Sequence, residues 1–107
     1  MNNDIKILTD ANFKSVTGED KVSLVDFWAP WCGPCRMLTP TIDQLAVEFG
    51  DKANICKADV DIAEETAKEF GIMTVPTLMI FKSGKLLETM VGLRQKAQIA
   101  EAISKHI

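Results

Sequence analysis

Two cysteines three positions apart, Cys32 and Cys35, stand in the run Trp31-Cys32-Gly33-Pro34-Cys35, where an apolar stretch gives way to helix-forming sequence. The chemistry open to such a pair is reversible disulfide formation. At the amino end of a helix the unbonded N–H groups and the positive end of the dipole favour an anion, so a thiol at Cys32 ionises more readily than a free one. Cys35 follows one turn behind. That spacing puts both sulfurs on one side of the first turn, near enough to bond to each other and to exchange with a disulfide brought from outside. Pro34 suits a first helical turn because its missing N–H has no partner to lose there. Gly33 offers the backbone freedom that a tight entry asks for.

Other uses of a Cys-x-x-Cys pair fit less well. Zinc needs a second ligand pair, and the remaining candidates are a lone Cys56 and a lone His106, far apart in sequence. Haem attachment needs a histidine directly after the second cysteine, where this chain has Arg36. An inert structural disulfide would close only a tiny loop and constrain the unfolded chain little. No metal is therefore expected, and no Gly-rich dinucleotide fingerprint occurs, so no bound cofactor is expected and electrons must come from a partner.

The 107 residues suffice for one hydrophobic core, and the expectation is a single domain over residues 1–107. A net charge of −3 without a Lys/Arg cluster argues against a nucleic-acid partner. No apolar run approaches membrane-spanning length. Met1-Asn2-Asn3-Asp4 has neither the basic start nor the apolar stretch of a signal peptide, so the expected location is cytoplasmic. Thiols are kept reduced there, and a pair built to form a disulfide reads as catalytic rather than structural.

Apolar patterning predicts the elements that must hold the pair. Residues 5–8 form a short strand, and Thr9 or Asp10 caps a brief helix carrying Phe13 and Val16. Residues 22–29 are apolar on both alternating faces, as a central strand covered on each side requires. A helix over 34–49 follows, with Met37, Leu38, Leu45 and Phe49 inward and Pro40 placed to bend it near Thr39. Residues 53–58 give a third strand, and Asp61 with Glu64 caps a helix ending at Gly71. Residues 77–81 and 86–91 make an antiparallel hairpin around a Lys82-Ser83-Gly84-Lys85 turn. A last helix starts near the weak cap Gln95 and docks through Ile99, Ile103 and Ile107. The sum is an α/β domain of three layers: a central mixed five-stranded sheet flanked by four helices.

Asp26 is a single carboxylate within the doubly covered strand. Desolvation is expected to raise its pKa into a range useful for a base, and it is the best candidate to take the proton of Cys35. Lys57 closes the third strand; it is either a solvated strand-end lysine or, if that strand neighbours the second, the partner of Asp26. Trp28 reads as a core and shielding residue, and Trp31 as a partly exposed piece of docking surface. Cys56, within an apolar strand, reads as a small buried hydrophobe.

With Trp31-Cys32-Gly33-Pro34-Cys35 on a strand-to-helix junction, Asp26 upstream, Val75-Pro76-Thr77 before the hairpin and Gly92 after it, the chain resembles the thioredoxin family from end to end. The resemblance implies the thioredoxin fold and a general protein-disulfide reductase acting through a mixed disulfide. Cys32 would then be the nucleophile, Cys35 the resolving thiol and Asp26 its base, with Lys57 beside Asp26. Gly33 and Pro34 would tune the redox potential toward a reductant, since disulfide-forming relatives carry a histidine in that dipeptide. It further implies a cis bond at Val75-Pro76, a Val75 backbone free to pair with an extended substrate segment, and an apolar patch of Trp31, Val91, Gly92 and Leu93 around the sulfurs. Diverse oxidised proteins would be the substrates of a monomer recharged by a separate thioredoxin reductase. Met73-Thr74 stands where many members carry a basic residue. Two other functions remain: a binding module with incidental thiols, and a disulfide-forming oxidant.

Overall fold

In the computed structural model, which describes residues 4–107, five strands and four α-helices follow one another. They are β1 (Ile5–Leu8), α1 (Phe13–Thr17), β2 (Val22–Trp28), α2 (Gly33–Phe49), β3 (Ala53–Asp59), α3 (Glu64–Glu69), β4 (Thr77–Lys82), β5 (Lys85–Val91) and α4 (Lys96–Ser104). The start Met1-Asn2-Asn3, on which the expectation about a leader rests, lies outside the described residues. The strands form one sheet in the order β1-β3-β2-β4-β5. β1, β3 and β2 are parallel, and β4 runs antiparallel to both β2 and β5. This is the expected mixed sheet with four flanking helices.

β2 is central and explains why its sequence is apolar on both faces. Val22 and Leu24 pack with Leu38, Ile42 and Leu45 of α2 and with Ile99 and Ile103 of α4. Val25 and Phe27 point the other way, into a cluster with Phe13, Phe81 and Phe70. There the Phe13 and Phe81 rings meet edge-on at 5.4 Å, and those of Phe70 and Phe81 at 5.3 Å. Burying each such side chain is worth roughly 1.5–3 kcal/mol, so two clusters of this kind hold the helices to both faces. By alternation Asp26 shares the α2 face with Leu24.

Several local expectations are corrected. Met37 is 67% exposed, because it stands about 100° around α2 from Leu38 and so leaves the buried stripe of Cys35, Leu38, Ile42 and Leu45. Ile107 is also exposed, because α4 ends at Ser104 and the four-residue period stops with it. The predicted span of α2 holds, with Pro40 inside one continuous helix. Neither Thr9 nor Asp10 caps α1, whose N-cap is Asn12; Asn12 instead accepts the Thr9 N–H on its Oδ1 at 2.7 Å. Asp61 does not cap α3, because the helix begins two residues too late for it, with Ala63 at the N-cap. Asp10 fills that role from across the sequence: its carboxylate accepts the N–H of Glu65 at 3.3 Å and the N–H and hydroxyl of Thr66 at 2.8 and 2.7 Å. Those bonds hold its pKa below the usual carboxylate range. Gln95 has a firmer helix start than expected, its N–H donating to Gln98 Oε1 at 3.1 Å.

The hairpin turn reduces to Ser83-Gly84, with φ values of 52° and 80°. Two positive values in succession match the tight turns whose twist suits antiparallel strands. The N–H groups of Ser83 and Gly84 donate to the carbonyls of Glu19 and Thr17, which ties the hairpin to the end of α1 and the loop before β2.

Candidate active site

Parallel neighbours β2 and β3 end at the same edge of the sheet, so the loops that leave them lie together there. The chain turns from β2 into α2 with the Cys32 N–H donating to Ala29 O at 3.1 Å, while Arg36 Nη1 donates to Pro30 O at 3.1 Å. Cys32 is the N-cap of α2, in extended conformation, and its Sγ accepts the Cys35 N–H at 3.2 Å. The two residues are joined as a disulfide, their Cα atoms 5.3 Å apart. The place of Cys32 is the positive end of a 17-residue helix, where an anion is stabilised by a donated N–H and by the dipole. Cys32 is 5% exposed and Cys35 1%, so Cys32 is the more accessible of the two.

One reading of this turn is corrected. Gly33 is not among the residues with positive φ, and a Cβ on it would meet only an Arg36 guanidinium nitrogen at 4.0 Å. The helix start does not need glycine there.

Opposite the disulfide the Val75-Pro76 bond is cis, and the Val75 carbonyl oxygen lies 3.6 Å from Cys32 Sγ. This loop is held from both sides: Thr77 Oγ1 donates to Thr74 O at 2.5 Å, and the Gly92 N–H donates to Pro76 O at 2.8 Å. Gly92 adopts φ +92°, which side-chain-bearing residues avoid, although space for a Cβ is open. Gly92→Ala is therefore expected to cost about 2 kcal/mol of stability through backbone strain alone, and to loosen the hold on Pro76. Denaturant unfolding measures the first effect and the rate of disulfide reduction the second.

An open cleft of about 540 Å³ borders Cys32, lined by Trp31, Gly33, Pro34, Val60, Ile72, Met73, Thr74 and Val75, without a charged side chain. Trp31 is 67% exposed and Met73 93%; Val91 and Leu93, expected around the sulfurs, are about half exposed but do not line this cleft. Trp31 is held in place by its Nε1, which donates to Asp61 Oδ2 at 2.9 Å. Sequence reasoning missed that role for Asp61 and read it as a helix cap. The signal that finds it is the strand order, since parallel β2 and β3 bring the residues after Trp28 and after Asp59 to one edge.

Asp26 is fully buried, and among the described residues neither of its carboxylate oxygens has a hydrogen-bond partner. Burial pushes its pKa up to about 7, against a smaller downward pull from Lys57. Lys57 is the register neighbour of Asp26, as the sequence allowed. The expected contact between them is not made: the Lys57 ammonium lies over the ring of Trp28, 4.1 Å from its centroid. Trp28 itself packs on the cluster of Ala29, Cys32 and Cys35. Cys56 is fully buried on the opposite face, and burial raises its thiol to about 12, which makes it unreactive. Among the described residues no group of His, Cys, Asp and Glu is arranged to hold a metal ion, and no helix is long and apolar enough to cross a membrane.

The profile of the family described as Thioredoxin matches residues 4–105. A thioredoxin of Bacillus subtilis is 48% identical over 99 residues, covering 92% of this chain and 94% of that protein. A thioredoxin of Listeria monocytogenes is 46% identical over 103 residues, covering 96% and 99%. The crystal structure of the Malassezia sympodialis thioredoxin Mala s 13 matches with a TM-score of 0.86 at 39% identity, over 95% of this chain and 92% of that one. The chain belongs to the thioredoxin family, and its disulfide-forming Cys32–Cys35 pair makes it a thiol-disulfide oxidoreductase.

Proposed function

We propose that the protein is a general protein-disulfide reductase in which Cys32 attacks, Cys35 resolves and Asp26 takes the proton of Cys35. The observation that carries this reading is the placing of Cys32 Sγ. It is the acceptor at the start of α2 and the more accessible sulfur, at the edge of a cleft without charged side chains.

In the cycle, the Cys32 thiolate attacks one sulfur of a substrate disulfide; a mixed disulfide forms and the other substrate sulfur leaves as a thiolate. The Cys35 thiol then gives its proton to the Asp26 carboxylate and attacks the Cys32 sulfur. The mixed disulfide breaks, the Cys32–Cys35 disulfide forms, and the second substrate sulfur leaves. Two electrons have passed to the substrate. An acid with a pKa of about 7 is suited to hold and release that proton near neutrality. The substrate pairs as an extended segment with the backbone at Val75, beside Pro76 and Gly92, while Trp31 and Val91 give it apolar surface that reads little of its side chains. Such docking suits diverse oxidised proteins.

The electrons return from a separate thioredoxin reductase, and the single domain works as a monomer in the cytoplasm, where a reducing pool keeps such a pair charged. The test is the equilibrium potential of the Cys32–Cys35 pair, measured by thiol trapping in graded dithiothreitol buffers with Cys56→Ala. The expected value lies below that of the glutathione pool. A value well above it makes the protein a disulfide-forming oxidant. Absence of a reversible two-electron step makes the cleft a binding surface with incidental thiols.

A further inference from the structure

Asp26, Trp28 and Lys57 share one side of the sheet. Asp26 and Trp28 are two residues apart on β2, and Lys57 stands directly beside Asp26 in the parallel register with β3. Neighbouring strands lie about 4.8 Å apart, well within the reach of a lysine's four methylenes. An ion pair is the arrangement this placement favours, and it is not the one adopted. Both Asp26 oxygens lack a partner, and the ammonium instead sits 4.1 Å from the centroid of the Trp28 ring, inside the range over which an indole face attracts a cation.

Among the described residues, the other neighbours of Asp26 offer it no charged partner. Its β4 neighbour in the register is the apolar Leu78. The buried stripe of α2 is apolar apart from Cys35. On β3 the next residue on this side is Asp59, whose Oδ1 is engaged with the Asp61 N–H at 2.9 Å. Burial is the larger influence on Asp26, and among the described residues Lys57 is the charged group that opposes it, so where its ammonium is held sets how far burial is offset.

We propose that Trp28 is a positioning residue of the redox cycle: its ring face seats the Lys57 ammonium and keeps it off the Asp26 carboxylate, leaving that carboxyl unpaired beneath α2. An ammonium in direct contact would hold Asp26 ionised through neutrality, and a carboxylate so held is a poor proton acceptor. At the distance set by the ring, the charge moderates the effect of burial without cancelling it. The inference rests on the reading in which Asp26 receives the Cys35 proton.

The experiment is a double-mutant cycle of Trp28→Leu and Lys57→Met, read as the titration midpoint of the Asp26 carboxyl by ¹³C NMR in the reduced full-length protein. Trp28→Leu is expected to lower that midpoint by about one to two pH units as the ammonium moves onto the carboxylate. In the Lys57→Met background the same substitution is expected to move it far less. Equal shifts in both backgrounds overturn the proposal, because the ring then acts only by excluding water; so does an unchanged or raised midpoint in the single variant. Should Trp28→Leu fail to fold, 5-fluoro- and 5,7-difluorotryptophan in a Trp31→Phe background keep the shape of the ring while draining its face of charge. The midpoint is then expected to fall stepwise with fluorination, and a flat response overturns the idea. The underlying assignment is read separately, from the rate of mixed-disulfide resolution in Asp26→Asn. An unchanged rate there removes Asp26 as the base while the titration cycle still decides what Trp28 does to Lys57.

Discussion

Replacing Cys35 with serine stops the cycle at the mixed disulfide, so that turnover falls by at least about a thousandfold and a covalent complex with the substrate accumulates. The magnitude follows from what the resolving thiol supplies. Held one turn from Cys32, with Cα atoms 5.3 Å apart, it attacks as an intramolecular partner, and its effective concentration exceeds by orders of magnitude the millimolar thiol that would have to replace it. Cys32→Ser behaves differently. It leaves Cys35 at 1% exposure and Cys56 fully buried with its thiol raised to about 12, so no thiol remains to capture a substrate and no adduct forms. Intact-mass analysis after incubation with a disulfide-bonded protein distinguishes the two variants. An adduct on Cys32→Ser in place of Cys35→Ser reverses the roles, and free turnover by Cys35→Ser removes the resolving step altogether.

Asp26→Ala is expected to make the protein more stable, by about 3 kcal/mol at pH 8, with the gain vanishing below pH 4. The sign follows from the titration. In the unfolded chain Asp26 loses its proton near the ordinary value of 3.8; folded, it keeps it until about pH 7. Over that window the folded state binds the extra proton, so wild-type stability is full below about pH 4 and declines as the pH rises through the folded value. The difference between the two pKa values corresponds to about 4 kcal/mol above pH 7, from which the small cavity left by the carboxyl subtracts. Urea unfolding of both proteins at pH 4, 6 and 8 checks it. A stability difference that does not change with pH would mean that Asp26 is not held protonated in the fold. On the proposed role of Asp26 as base, the same substitution slows resolution by Cys35, and the two effects together would mark this carboxyl as a cost in stability tied to chemistry.

The division between what the residues announce and what only the fold supplies follows a physical line. β2 declares itself because Leu24, Val25 and Phe27 must satisfy two faces at once, and Asp26 stands out against them for the same reason. The disulfide chemistry is equally plain, since the N-cap sulfur and its N3 donor lie within four consecutive residues. Contacts between distant segments are not written in any local pattern. The bond from Trp31 to Asp61 spans 30 residues, and it depends on β2 and β3 being neighbours. Lys57 shows the same limit from another side. Its place next to Asp26 follows from strand register, but its choice of an indole face over a carboxylate is settled by side-chain packing. Met37 and Ile107 fail for a third reason: helical phase and helix length decide burial, and an apolar residue type alone does not.

The cap that Asp10 places on α3 carries a consequence for how the molecule holds together. A helix of six residues has no independent existence in water, and this one borrows its first turn from a loop 55 and 56 positions earlier in the chain. α3 leads directly into Ile72 to Val75, one wall of the cleft beside Cys32. That wall is therefore not held by local contacts alone: it leans on the loop after the first strand, and loss of the Asp10 contacts is expected to loosen the cleft as well.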